Sequence, residues 1–521
     1  MIVSPAETVT EALVIQARDR PRALAYTADG EGITYEALLR DAQRLASGLA
    51  ERGVARGQRC AVVLPTALDF IRAVYASQLL AAIPVAINPD LPDEAIVRRL
   101  RLVRAHLALC GPGTAARLAA ASGAPCPVLS MTELAWESSP AAPHQSPDPG
   151  DVAFLQLTSG TTGDSRAVAI SHRSLIASLV ATAARLELRQ DDVMATWVPL
   201  HHDLGLVRYV FGAMLSGCPS HLIRPSMGNF RPWLALIARV RATITGGPDS
   251  AYRLASRTVD PVGLDLASLR FAGNGGEPVR LETIRNFEQR FGLPNTVRPA
   301  YGLAEATLTV TSTGPGEDLR SDAHGGVSCG RALEGIELRI ADANAHAQPP
   351  GEAGEILVRG TPVFSGYFDD DDATRQVLRD GWLHTGDVGR VDPDGYLFVA
   401  ARSRALIKRG GVTIAPREIE DAVNRVAGVA SSAAIGIVLS PTSATEDVVV
   451  VAELHDADGD FDALAARIVA EVRSALGFAP GRVLLVPIGT VPLTSAGKVQ
   501  YEKLRRMVAT DALADRLFVG S

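Results

Sequence analysis

The sequence has few features of a secreted or membrane-spanning protein. Its 521 residues include five cysteines, an odd number with no Cys-x-x-Cys pair, which indicates neither a disulfide framework nor a zinc motif. The most apolar stretch, 73–87, is interrupted by Gln78 and Pro84 and is too short to cross a bilayer. The N-terminus lacks the basic start and apolar core of a secretory signal. We therefore expect a cytoplasmic protein with reduced thiols.

The sequence also lacks a strong excess of charge of either sign. Its 51 basic and 58 acidic residues give a net charge of −7, so no nucleic acid or anionic membrane is expected as a partner. Short apolar runs, such as 60–64 and 84–87, alternate with amphipathic segments such as 35–52. This alternation predicts an α/β fold with a substantial amount of parallel sheet.

The length exceeds that of a single typical domain, so at least two hydrophobic cores are expected. A tight turn at 392–395 and a strand at 396–400 are followed by a helix that begins near Pro416 and a longer helix at 461–476. We predict a large N-terminal domain of stacked α/β subdomains with mixed sheets, residues 1–402. A small α+β C-terminal domain, residues 403–521, completes the prediction.

A loop rich in serine, threonine and glycine follows the apolar strand predicted at 152–157. Glycines allow a close approach of the backbone to a phosphate, and N–H groups and hydroxyls can bind its oxygens. The loop is not a Walker A motif, because no Gly-Lys-Ser/Thr follows at the required spacing. Taken alone, it is equally compatible with a flexible turn. Its residues are Thr158, Ser159, Gly160, Thr161, Thr162 and Gly163.

Three further motifs favour a nucleotide. Tyr301 and Glu305 place an aromatic ring, which can stack on a base, near a carboxylate, which can hold a magnesium ion. Asp387 and Arg402 provide an acid and a base suited to ribose hydroxyls. Lys498 follows a glycine turn near the C-terminus and, considered alone, would be a solvated surface charge.

These motifs, in this order over residues 10–505, resemble the superfamily of acyl-CoA synthetases, acyl-AMP ligases, peptide-synthetase adenylation domains and firefly-type luciferases. The resemblance implies ATP-dependent activation of a carboxylic acid as acyl-AMP. It implies that loop 158–163 binds the β- and γ-phosphates and that Glu305, with Thr161, binds Mg²⁺. Lys498 would bridge the carboxylate and the α-phosphate, and Arg166 replaces the lysine usual after the loop. The implied adenine and ribose residues are Gly275, Gly276, Glu277, Tyr301, Gly302, Asp387 and Arg402.

Segments 198–206, 246–252 and 301–307 look most like the fatty acyl-AMP ligase branch. In that branch the residue matching His202 lies beside the acyl group, although a hydrogen-bonded structural histidine is the alternative. Asp249-Ser250 replaces an Asn-Phe pair typical of the branch, which should enlarge the pocket or make it more polar. We expect a fatty or bulky hydrophobic acid of lipid or natural-product metabolism. The acid pocket predicted by resemblance comprises Trp197, His202, Gly247, Ser250, Tyr252 and Ala300.

The insertion that acyl-AMP ligases carry before the Thr-Gly-Asp motif is missing, since Tyr367 leads to Thr385 without spare length. The resemblance then implies a mobile C-terminal domain that swings about Arg404 and presents Gly410 and Gly411 to a thiol. CoA is the favoured acceptor, ahead of the phosphopantetheine of an acyl carrier protein. The alternatives are an acyl-AMP ligase that loads a carrier protein, a non-catalytic nucleotide- or acyl-binding relative, and a luciferase-like oxidation.

Overall fold

The computed structural model describes most of the chain. The described residues are 6–120, 123–134, 136–138, 140, 145–158, 165–224, 230–322, 326–402, 407–409, 412–438, 446–454, 460–493 and 499–518, with the backbone alone for 401, 402, 408, 409, 412 and 413. Within these ranges, none of the helices combines the length and the apolar character that a membrane span requires.

A nine-stranded sheet lies at the centre of the N-terminal part. Six neighbouring strands are parallel, and antiparallel strands complete both edges. Parallel sheets are covered on both faces, which explains why several of its strands are apolar along their whole length. Across the sheet the strands are Arg331–Ala332, Thr311–Ser312, Val297–Tyr301, Phe271–Gly275, Ile244–Gly247, Met194–Thr196, Ser220–Leu222, Leu24–Ala28 and Glu31–Thr34.

A seven-stranded sheet packs beside it and carries the Ser/Thr/Gly-rich loop. Five of its strands are parallel, and Ala167–Ser171 and Gly366–Tyr367 extend it in antiparallel fashion. Its other strands, in spatial order, are Val152–Leu157, Ile83–Ala86, Arg59–Val63, Leu107–Cys110 and Val128–Ser130.

Helices cover these sheets, and polar side chains start several of them. Thr34 and Ser171 accept hydrogen bonds from the backbone N–H groups of Ala37 and Ser174, which satisfies otherwise unpaired donors of the first turn. The α-helices of this part are Val9–Asp19, Tyr35–Glu51, Leu68–Leu79, Asp93–Leu102, Pro112–Ala120, His172–Arg185, Ala213–Ser216, Arg231–Val240, Asp249–Thr258, Leu281–Phe291 and Asp371–Val377. A π-helix spans Leu204–Gly212, and short 3₁₀ turns span Met131–Leu134, Trp136–Ser138 and Ala304–Ala306.

Smaller sheets follow along the chain. A five-stranded sheet contains Ile336–Ala341, Gly354–Gly360, Leu378–Arg379, Trp382–Val391 and Leu397–Arg402. Beyond it, Ile407–Arg409 pairs with Val412–Ile414, and a three-stranded sheet contains Val429–Ile437, Asp447–Leu454 and Arg482–Pro487. The helices of this C-terminal part are Pro416–Val423, Phe461–Leu476, Tyr501–Ala509 and a 3₁₀ turn at Ala514–Arg516.

The C-terminal part has hydrophobic cores of its own. One includes Ile419, Val450 and Ile468, and the other includes Val449, Leu484 and Leu504, on the opposite face of the three-stranded sheet. The predicted α/β fold, with a large N-terminal and a small C-terminal unit, is confirmed. The predicted turn at 392–395 does connect two antiparallel strands, and the helix predicted at 461–476 has these bounds.

Candidate active site

Thr158 and Arg166 close the base of the Ser/Thr/Gly-rich loop. The Thr158 N–H donates to the Arg166 carbonyl at 2.9 Å, and the Arg166 N–H donates to Thr158 Oγ1 at 3.2 Å. The flanking strands pair in antiparallel fashion, so the loop connects two neighbouring strands, whereas a P-loop connects a strand to a helix. Ser159, Gly160, Thr161, Thr162 and Gly163 lie outside the described residues.

Tyr367 contacts both Glu305 and Arg166, the first through its hydroxyl and the second through its ring. Tyr367 Oη donates to Glu305 Oε1 at 2.8 Å, and the Arg166 guanidinium carbon lies 5.1 Å from the centre of the Tyr367 ring. Burial and the neighbouring Glu305 raise the pKa of Tyr367. Tyr367 therefore remains a protonated donor to Glu305.

Tyr301 and Asp387 are directly bonded, although one lies on the nine-stranded sheet and the other on the five-stranded sheet. Tyr301 Oη donates to Asp387 Oδ2 at 2.7 Å, and both residues are buried. Asp387 pairs in register with Arg402 on the adjacent strand, whose side chain is not described. Glycine is required at Gly302, because a Cβ there would lie 1.6 Å from the Leu308 carbonyl oxygen. The structure thus joins the residues predicted to bind adenine and ribose.

Two adjacent histidines have different surroundings. Burial lowers the pKa of His201 to about 3, and the His201 carbonyl accepts from Gln156 Nε2 at 3.2 Å. The His202 side chain is 24% exposed, and its Nδ1 lies 2.6 Å from Asp203 Oδ1. Both histidines are half-buried, and the position of His202 beside the acyl group stays a prediction.

Three of the predicted acid-pocket residues belong to one aromatic cluster. Trp197 lies edge-on to Phe230 at 5.0 Å between ring centres, and Tyr252 lies 5.6 Å from Trp233. A Cβ on Gly247 would contact the Trp197 ring at 3.4 Å. Trp197, Gly247 and Tyr252 therefore lie close together. Ala300 contacts the nucleotide residues instead, because its carbonyl oxygen would lie 2.6 Å from a Cβ on Gly275.

Asp249, one of the two residues that replace the Asn-Phe pair, is hydrogen-bonded inside the protein. Its carboxylate accepts from Asn274 Nδ2 at 3.1 Å and from Thr283 Oγ1 at 2.9 Å, and its side chain is fully buried. These hydrogen bonds use the carboxylate internally. Next to it, the Ser250 N–H donates to the Glu277 carboxylate, whose pKa burial and Asp249 raise. Glu277 therefore binds a backbone N–H in the first turn of the helix Asp249–Thr258, which adds a positioning role to its predicted nucleotide contact.

A family model described as AMP-binding enzyme matches residues 13–368. Feruloyl-CoA synthase from an Amycolatopsis species is 30% identical, over 95% of this chain and 97% of that protein. A putative acyl-CoA synthetase from Caulobacter vibrioides is 29% identical, over 96% of this chain and 94% of the relative. A solved structure from the fatty acyl-adenylate ligases of E. coli and L. pneumophila matches with a TM-score of 0.87 at 27% identity, covering 98% of this chain and 99% of that one.

The chain belongs to the AMP-binding enzyme family. It is an AMP-forming acid–thiol ligase that uses ATP to activate a carboxylic acid. The Tyr301–Asp387 contact joins two residues that the motifs predict for the nucleotide site, and Tyr367 bonds a third, Glu305.

Sequence reasoning missed three residues of this AMP-binding enzyme. In the sequence Tyr367 serves only to measure the distance to Thr385, whereas in the structure its hydroxyl donates a hydrogen bond to Glu305. Arg208 and Tyr209 lie on the π-helix Leu204–Gly212, which begins shortly after His202, and both are buried. A signal was present for this pair, because an arginine in a run as apolar as 204–216 must be buried or must mark a site.

The C-terminal part of the enzyme contacts the N-terminal part around Arg280. Arg280 Nε donates to Asp421 Oδ1 at 2.6 Å, and Arg417 Nη2 donates to the Val279 carbonyl at 2.8 Å. Arg257 Nη1 donates to the Ala430 carbonyl at 3.1 Å. Four residues predicted for this part lie outside the described residues: Lys498, Arg404, Gly410 and Gly411.

Proposed function

We propose that the enzyme converts a fatty or bulky hydrophobic acid into its acyl-adenylate and then into an acyl-CoA. The hydrogen bond between Tyr301 and Asp387 supports this proposal, because the ring predicted to stack on the base and the carboxylate predicted to bind the ribose are in direct contact. The nearby Glu305 then supplies a hard oxygen ligand of the kind that Mg²⁺ prefers.

In the first step, a carboxylate oxygen of the acid attacks the α-phosphorus of ATP, and pyrophosphate leaves. Both reactants are anions, so positioned cations and in-line alignment supply most of the acceleration. Lys498 would bridge the two reactants, and Arg166 would neutralise charge at the exit of the phosphate loop. Glu305 would hold Mg²⁺, which neutralises phosphate charge when bound.

In the second step, a thiol attacks the acyl carbonyl carbon, and AMP leaves as the thioester forms. We assign residues 1–402 to the adenylating domain and 403–521 to a mobile domain that turns about Arg404. The Gly410–Gly411 backbone would leave room for a pantetheine arm. CoA is favoured over a carrier protein, since relatives over nearly the full chain are named as CoA synthetases. The five free cysteines fit a reducing cytoplasm.

Pyrophosphate release across a panel of linear, aromatic and polycyclic acids tests the first step. Glu305→Gln and Asp387→Asn should each lower kcat/KM about 100-fold or more, and Lys498→Ala should abolish adenylate formation. Glu337→Gln, which alters an exposed carboxylate paired with Arg359, is the matched control and should have no effect. Pyrophosphate exchange at the wild-type rate in Lys498→Ala would refute the mechanism.

The acceptor is tested by adding free CoA or a phosphopantetheinylated carrier protein to the preformed adenylate. Acyl-CoA formation with release of AMP is the expected result. If the adenylate persists with CoA and disappears only with the carrier protein, the enzyme is an acyl-AMP ligase that loads a carrier. If neither thiol consumes it, the proposed second step is wrong.

A further inference from the structure

Arg208 is a buried cation for which the adenylation chemistry has no use. It lies on the π-helix that begins directly after His202 and Asp203, and only 6% of its surface is exposed. Its Nη2 donates to Thr309 Oγ1 at 3.0 Å, while its Nε has no hydrogen-bond partner among the described residues. A buried guanidinium keeps its charge and normally uses its donors, so this arrangement requires an explanation.

No carboxylate of the described residues forms an ion pair with Arg208. Arg208 takes part in no ion pair within the described ranges, and burial lowers its pKa against the weaker opposite influence of Tyr209 and Tyr252. Burying a charge without a counter-ion destabilises a protein, whereas a site that binds an anion requires such a charge. Within the described residues no anionic side chain pairs with this charge, so a bound ligand would supply the anion.

Two glycines of the nine-stranded sheet lie opposite Arg208 and Tyr209. Gly246 and Gly273 are register partners on adjacent strands. A Cβ on Gly273 would lie 3.3 Å from Arg208 Nη1, and a Cβ on Gly246 would lie 3.0 Å from Tyr209 Oη. Both strands therefore lack side chains where Arg208 and Tyr209 pack against them.

The same place adjoins the predicted acid pocket. Tyr252, one of the predicted pocket residues, reaches it, because Tyr252 Oη donates to the Gly273 carbonyl at 2.9 Å. Tyr209 Oη, like Arg208 Nε, is buried without a hydrogen-bond partner in the described part of the chain. Gly246 and Gly247 face opposite sides of their strand, so these two polar groups lie on the face of the sheet away from Trp197, and Tyr252 is the predicted pocket residue that reaches them.

We propose that Arg208 is a specificity-determining residue that binds a second anionic group of the acid, remote from the carboxylate that is adenylated. The preferred substrates are then acids with a hydrophobic body and a second carboxylate. The body would contact Tyr252, and Tyr209 Oη would bind the second carboxylate together with Arg208. This inference rests on the proposed function, because the acid must enter beside His202.

The test compares matched acids that differ only in the second carboxylate, octanoic against octanedioic acid and 3-phenylpropionic acid against its para-carboxy analogue. With the wild-type enzyme, kcat/KM for pyrophosphate release should favour each diacid. Arg208→Met should lower kcat/KM for the diacids about 10- to 100-fold, as expected for a lost hydrogen bond to a charged group, and should leave the monoacids unchanged or improved. Arg208→Lys should retain part of the preference. Thr309→Val removes the anchor of Arg208 but keeps the cation, so the preference should survive.

Equal use of diacids and monoacids by the wild-type enzyme would overturn the inference and leave the proposed function standing. So would an equal loss on both acids in Arg208→Met, which would assign Arg208 a purely structural role. A second readout does not depend on turnover: octanedioate should raise the Tm of the wild-type enzyme more than octanoate does, and this difference should vanish in Arg208→Met. If octanoate and octanedioate raise the Tm equally, the inference about Arg208 fails, whether or not the enzyme adenylates either acid. If no acid of the panel releases pyrophosphate, the proposed function is refuted.

Discussion

Two arginines near the predicted acid pocket, Arg208 buried and Arg280 half-buried, differ in what surrounds them. Arg280 lies among three carboxylates: its Nε donates to Asp421 at 2.6 Å, its Nη1 lies 3.5 Å from Asp249, and its Nη2 lies 3.9 Å from Glu420. Arg208 has a threonine hydroxyl as its hydrogen-bond partner and no carboxylate within ion-pair distance in the described residues.

The difference indicates two roles: Arg280 stabilises the fold through carboxylates of the protein, whereas Arg208 is proposed to bind an anionic ligand. Burial alone would lower the pKa of both arginines. For Arg280 the neighbouring Asp421, Asp249 and Glu420 outweigh burial and raise the pKa, whereas for Arg208 the pKa remains lowered. Arg280 therefore compensates buried anions and joins the two parts of the chain, while Arg208 is itself left uncompensated.

Arg280→Met should produce the largest loss of stability. It leaves Asp249 and Glu420, both almost fully buried, without their cation, and breaking a buried pair in this way costs about 3–5 kcal/mol. Urea unfolding measures the loss. The matched control is Arg375→Met, whose pair with Asp372 is exposed and whose removal should leave the midpoint unchanged. If both variants behave alike, the cluster does not stabilise the fold.

The loss in Arg280→Met should depend on pH. Burial raises the pKa of Glu420 above its usual value even though Arg280 lowers it, so removing Arg280 raises the pKa further. A carboxyl with a raised pKa binds its proton more tightly in the folded state, so stability is gained as the pH falls and lost as the pH rises through the folded pKa. The difference between Arg280→Met and the wild type should therefore shrink from about pH 8 to about pH 5. A difference independent of pH would show that Glu420 remains compensated.

Tyr367→Phe should have a smaller effect, because it removes a neutral donor from a carboxylate. Glu305 would lose the 2.8 Å hydrogen bond but keep its charge, and kcat for pyrophosphate release should fall about fivefold to tenfold, as expected for about 1 kcal/mol. Tyr396→Phe, in which the ring still packs on Arg320, is the control. A 100-fold loss would mean that Tyr367 contacts the reactants itself.

How much of this could be predicted from the sequence depends on the distance over which partners act. The strands, helices and nucleotide motifs follow from local patterns, and Tyr301 and Glu305 are neighbours in the sequence. By contrast, Arg280 and Asp421 are separated by 141 residues, and Tyr367 and Glu305 by 62. Charged residues such as these resemble surface residues in a sequence, because only the packing of distant elements buries them.

Arg208→Met should have the smallest effect on stability, and it tests most directly whether Arg208 differs from Arg280. It removes a buried charge with no counter-ion, a change that is neutral or stabilising when the replacement fills the space, offset by about 1 kcal/mol for the Thr309 hydroxyl left without its donor. We expect an unfolding free energy within about 1 kcal/mol of the wild type. A loss as large as that of Arg280→Met would mean that Arg208 is compensated within the protein. In that case the two arginines would serve the same structural purpose, and the unused Nε of Arg208 would carry no information about the acid.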